Sequence, residues 1–137
     1  MNSGIDPWTK ILLLKAAEDE ATIQIEALPD GPFGFHAQQA VEKLMKALLS
    51  QLSIGLDYTH NVENLARQLS DAGETLPTKH AGLSEMNRLS VAYRYDAIPD
   101  MEIQDRPAII ASVRQIREHV LARISTLSGV PLPPPLQ

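Results

Sequence analysis

Cysteine is absent from this 137-residue chain, and aromatic side chains make up only 4% of it. The first absence excludes disulfides, thiolate metal sites and a cysteine nucleophile, which agrees with a reducing compartment. The second leaves Leu, Ile, Val and Ala to fill the interior. No apolar run approaches the roughly 20 residues that a membrane span needs, and the N-terminus has no basic segment followed by a hydrophobic stretch. No membrane association is therefore expected, and the reading is cytoplasmic. Strict alternation of apolar and polar residues, the mark of a half-buried strand, is also missing. So are the nucleophile elbow, the phosphate-cradling glycine loop, the HExxH helix and the dinucleotide fingerprint. The four histidines, His36, His60, His80 and His119, show no i, i+3 or i+4 pairing, and no Glu-x-x-His pairs suit a di-metal bundle. Neither metal nor cofactor is expected. The net charge of -5 supplies no global attraction for nucleic acid, so any such contact must be focal.

What is present is helical periodicity. A chain of this length fits one domain, with folding removing roughly two thirds of its accessible surface from water. Ala37, Val41, Leu44, Leu48 and Leu52 form an apolar stripe on a long segment starting near Phe33. Beside it runs a line of small and polar residues: His36, Gln39, Ala40, Lys43 and Ala47. Alanines in such a line favour close approach of another backbone or of a ligand. Ahead of it, Asp6-Pro7 starts a helix expected over residues 7 to 27, with Trp8, Leu12, Ala16, Ile23 and Ala27 on one stripe and Pro29-Asp30-Gly31-Pro32 as its end. Asp19 falls on that stripe, either as an edge residue or as a partner for a cation.

Val62, Leu65, Ala66 and Leu69 define a short third helix, capped by Thr59 or Asn61 and ended by Gly73, with His60 in a loop-packing role. Leu83, Met86 and Tyr93 restore the period in a fourth, which should stop before Pro99, while His80 sits in a solvated loop. Asp105 and Pro107 open the last helix, Ile109, Val113, Ile116, Val120, Ile124 and Leu127 form its seam, and Ser128-Gly129 closes it. The fold class expected is all-α: an antiparallel, up-down four-helix bundle with one additional short helix, over residues 1–129. Residues 130–137, GVPLPPPLQ less its glycine, form a Pro-rich tail that cannot propagate a helix and is expected to lack fixed structure.

The run FHAQQAVEKLMKAL, followed by THNVENLARQL from Thr59 to Leu69 and YRYDAIPD from Tyr93 to Asp100, resembles the HEPN domain of small prokaryotic proteins. The opening WTKILLLKAAEDE is similar to the family's first helix. The resemblance implies a helical bundle, commonly dimeric, often found beside a nucleotidyltransferase. It also implies a cleft, at or near the two-fold contact, between the second helix and the end of the fourth. Here that cleft would hold His36, Gln39 and Lys43 together with Arg94, Tyr95 and Asp96. Lys43 and Arg94 could neutralise a phosphate, Tyr95 could stack on a base, and Gln39 could offer donor and acceptor to a base edge. The competing reading makes the same residues a polar interface, with Asp19 or Asp96 bridging Arg94 and Lys43.

Ribonuclease members of the family carry an arginine followed four to six residues later by a histidine. After Arg94 no such histidine comes, and a guanidinium cannot act as the proton acceptor near neutral pH. Arg114 and His119 match the spacing literally, yet on an ideal helix they point about 140 degrees apart. With Arg117 and Arg123 they avoid the apolar seam, and a solvated basic face is the simpler expectation. Three readings result: a non-catalytic module contacting a nucleotide, short RNA or a nucleotidyltransferase partner; a divergent metal-independent endoribonuclease acting as a toxin; and a structural dimeric interaction module.

Overall fold

A computed structural model describes residues 4–55, 61–77 and 105–131. The expected fourth helix, with Arg94, Tyr95, Asp96, His60, His80 and the end of the Pro-rich tail, lies outside the described residues. Four helices and no strand occur among them: α1 (Pro7–Thr22), α2 (Asp30–Gln51), α3 (Val62–Asp71) and α4 (Arg106–Ser128).

Side-chain caps fix three of the starts. Asp6 accepts from the amides of Trp8 and Thr9, Asn61 from those of Glu63 and Asn64, and Asp105 from that of Ala108. Gly129, at φ 73°, closes α4 in the left-handed conformation that glycine adopts without a Cβ clash.

Two boundaries differ from the periodicity reading. α1 ends at Thr22, five residues before the expected stop at Ala27. There the amides of Gln24 and Ile25 turn back to the carbonyls of Ala21 and Thr22, three residues behind them, which tightens the chain out of the α-helix. Ala27 therefore lies exposed, its helical spacing a coincidence of sequence. The Pro29 to Pro32 run, expected as a break, instead supplies the cap and first turn of α2. Pro32 stands third in that helix, where its missing N–H would have had no intrahelical partner.

α1 runs antiparallel to α2. At one end Asp6 accepts from the Ser50 hydroxyl (2.9 Å), and its amide donates to Gln51 (3.1 Å); at the other Asp19 meets His36. The Ser50 hydrogen bond, with the amide bonds behind it, holds the Asp6 carboxyl below its ordinary pKa. α4 begins beside the start of α2: Arg106 donates to the Asp30 carboxylate (2.6 Å) and to the Leu28 carbonyl, with its guanidinium 4.6 Å from the Phe33 ring centroid. α2 is the spine of the core. Phe33, Ala37, Val41, Leu44 and Leu48 pack with Leu65 and Leu69 of α3 and Val113, Ile116, Val120 and Ile124 of α4, all buried. Ile109 and Leu127, the ends of the α4 seam, are partly buried against it.

Candidate functional site

His36, Ala40, Lys43 and Ala47 recur at helical spacing and so share one edge of α2. α1 occupies that edge. The alanines are fully buried, and the helices approach closely enough for the Thr9 hydroxyl to reach the Ala47 carbonyl at 3.4 Å. Asp19, nearly buried, then accepts from two side chains of α2: His36 Nδ1 at 2.8 Å on one oxygen, and Lys43 Nζ at 2.5 Å on the other. An ionised carboxylate can only accept, so His36 donates to Asp19 through Nδ1. The Phe35 ring meets the imidazole edge-on, with centroids 5.3 Å apart. His36 and Lys43 remain one third and one quarter exposed, with side-chain accessibilities of 33% and 24%. The cluster is thus covered on the α1 side and open at its rim.

Gln39, named with this pair from sequence, belongs to a second string. Its Nε2 donates to Gln38 Oε1 (2.9 Å), Gln38 Nε2 to Glu42 Oε1 (3.0 Å), and Lys46 Nζ to Glu42 Oε2 (3.3 Å). Gln38 and Glu42 are buried, a costly placement that hydrogen bonds must offset. The sequence reading passed over both. The signal was present: Gln38, Glu42, Met45 and Leu49 continue at 4-3-4 spacing, a polar pair in line with two fully buried apolar residues. Arg94, Tyr95 and Asp96 lie outside the described residues.

The basic side chains of α4 do not form the expected solvated face. Arg117 Nη1 donates to Glu20 of α1, and Arg123 grips Glu74, just beyond α3, through Nε (2.7 Å) and Nη2 (3.0 Å). Burial pushes the Glu20 carboxyl above its ordinary pKa although Arg117, and then Arg114, pull it down. The hydrogen bond from Arg123 holds Glu74 below its own. Arg114 is exposed and acts on Glu20, whereas His119 acts on Glu74. Five residues apart on α4, the two point about 140 degrees from each other. Among the described residues, His119 Nε2 and Arg117 Nε are buried without a hydrogen-bond partner, and no group of three or more His, Asp or Glu side chains is placed to hold a metal. No described helix is long and apolar enough to cross a membrane.

The family model of the HEPN domain matches residues 14–124, most of the chain. The chain belongs to the HEPN domain family. No curated protein and no solved structure gives a significant match. The matched span takes in Asp19, Glu20, all of α2 and α3, and α4 through Ile124, so both polar strings and both arginine pairs lie within the HEPN domain.

Proposed function

We propose that this chain is a non-catalytic HEPN module. It is a dimeric antiparallel bundle that contacts a nucleotide or short single-stranded RNA at the His36 and Lys43 rim, together with Arg94, Tyr95 and Asp96, and works beside a nucleotidyltransferase. The observation that carries this reading is Asp19 holding His36 and Lys43 side by side. Lys43 brings an ammonium to the rim and His36 a hydrogen-bonding ring beside it, both held in fixed geometry by the same carboxylate. An anionic ligand meets groups whose rotamers are already ordered, which lowers the entropic cost of binding. Catalysis of RNA cleavage is disfavoured because Arg114 and His119, the pair with ribonuclease spacing, stand five residues apart on α4 and so point about 140 degrees from each other.

Calorimetric titration of the purified protein with ATP, and anisotropy titration with a labelled short RNA, test the reading. Lys43→Ala is expected to weaken binding roughly tenfold, in keeping with loss of a charge-assisted contact of about 1.4 kcal/mol. Absence of binding by the wild-type protein, with its fold intact, would instead favour a purely structural interface built on the Asp19 salt bridges. RNA degradation that His119→Ala abolishes would overturn the non-catalytic assignment.

A further inference from the structure

The two polar strings of α2 lie side by side along one edge of the helix, where His36, Gln39, Lys43 and Lys46 follow one another at 3-4-3 spacing. Lys43 belongs to the string that ends on Asp19, and Lys46 to the one that runs through Glu42. Both carboxylates are nearly buried, at 9% and 4% side-chain accessibility, while the two lysines stay partly open, at 24% and 16%. An ammonium has three donors, and each of these gives one to its carboxylate. Two N–H groups on each anchored head are left to serve a ligand. Other cations among the described residues are placed differently. Arg106 spends its guanidinium on Asp30, the Leu28 carbonyl and the Phe33 ring, and Arg123 spends its fork on Glu74. Lys15 is 57% exposed and approaches Glu18 only to 3.7 Å, which leaves its head unanchored.

We propose that Lys46 is a second anion contact of the rim, and that the rim reads two phosphoryl groups in succession on one ligand. The proposal rests on the nucleotide or RNA reading of His36 and Lys43 and names the class of ligand that completes it. The arrangement of the two lysines sets the number. Residues three apart on a helix have Cβ atoms about 5–6 Å from each other. Here the heads are drawn to different sides, since Lys43 reaches across to Asp19 of α1 whereas Lys46 turns back one turn along α2 to Glu42. They therefore serve neighbouring anionic groups in turn rather than converge on one. Asp19 and Glu42 balance the two ammonium charges, so the edge attracts an anion through donors already in place more than through net charge. A single phosphoryl group engages one head, and a second uses the donors that the first leaves idle. Two sources present this chemistry: the diphosphate of a nucleotide, and successive phosphates of a short RNA backbone.

Calorimetric titration of the full chain with AMP, with ADP and with 5′-phosphorylated diadenylate tests the proposal. The wild-type protein should bind ADP, the dinucleotide or both at least about tenfold more tightly than AMP, the scale of one added charge-assisted contact. An advantage confined to ADP supports the proposal with a diphosphate as the source, and one confined to the dinucleotide supports it with a backbone step. In Lys46→Gln, whose amide can still donate to Glu42, the advantage should fall to about twofold or less, and Lys46→Arg, which keeps the charge, should restore most of it. Circular dichroism checks that both variants fold. A lysine that merely held Glu42 in place would leave the ratio unchanged. Equal affinity of the wild-type protein for all three ligands, or an advantage that survives in folded Lys46→Gln, overturns the second contact while the His36 and Lys43 rim stands. Binding of none of the three by the folded wild-type protein overturns the nucleotide reading and this proposal with it.

Discussion

Two arginines of α4, six residues apart, each hold a glutamate, and the two carboxylates respond in opposite directions. Glu20 rises above its ordinary pKa and Glu74 falls below it. Exposed area does not separate them, since their side chains are 10% and 9% accessible. The deeper protein surroundings of Glu20 and the hydrogen bonding of Glu74 do. Arg123 presents a fork, Nε and Nη2 to the two oxygens of Glu74, so the charged form gains two bonds. Arg117 reaches Glu20 through Nη1, its own Nε stays buried without a partner, and Glu118 nearby adds repulsion. Desolvation therefore dominates at Glu20 and hydrogen bonding at Glu74. An ion pair seen in a structure does not by itself say which protonation state it favours.

The largest effect expected from breaking the comparison is at Arg117. Arg117→Ala leaves Glu20 facing burial without its principal counter-charge, and Arg114, which is exposed, cannot take the place of a direct contact. Urea unfolding at pH 7 should show a loss of about 3 kcal/mol, the scale for removing one partner of a buried pair. Removing the cation raises the Glu20 pKa further, so the deficit should shrink on acidification as Glu20 takes up a proton. A loss below about 0.5 kcal/mol at pH 7 would place this pair with ordinary surface ion pairs.

These long-range pairs are the part of the molecule that sequence reading could not reach. Caps and stripes are local, so Asp6, Asn61, Asp105 and Gly129, the α2 stripe and the α4 seam were legible, and Asp19 stood out as a charge on an apolar line. Glu20 and Arg117 are separated by 97 residues and Glu74 and Arg123 by 49, and no periodicity links one charge to another at such distances. The same holds for Arg106, whose contacts with Leu28 and Asp30 bring the starts of α2 and α4 together. The Pro29 to Pro32 run misled for a different reason: proline and glycine signal a break in mid-helix, but the first helical turn tolerates both. Of the candidate site, the spacing of His36 and Lys43 was readable. That α1, by way of Asp19, would be what approaches the alanine-lined edge was one of two readings.

Arg123→Ala should be milder than Arg117→Ala. Its side chain is 35% exposed, so solvent screening discounts the pair to about 1 kcal/mol despite the fork. The pH dependence identifies it. With a folded pKa below 4.5, Glu74 contributes stability that is present above pH 4.5 and lost as pH falls through the lowered folded value. Thermal unfolding of wild type and Arg123→Ala should therefore differ near neutrality and converge in acid.

Glu20→Gln sharpens the contrast with the smallest effect. Because the folded pKa of Glu20 lies above 4.5, the native state binds more protons there than the unfolded chain does. Its contribution is therefore fully present below pH 4.5 and is lost as pH rises through the raised folded value, the reverse of Glu74. Glutamine keeps the shape and an acceptor for Arg117 but cannot titrate. The variant should thus lack the component of stability that declines across this window, while the steeper acid loss due to Glu74 remains. Stability profiles from pH 3 to 8, taken as the difference between wild type and Glu20→Gln, should fall as pH rises. A difference that rises instead would mean that Arg117 holds Glu20 ionised as firmly as Arg123 holds Glu74, and the fork would no longer be what separates the two pairs.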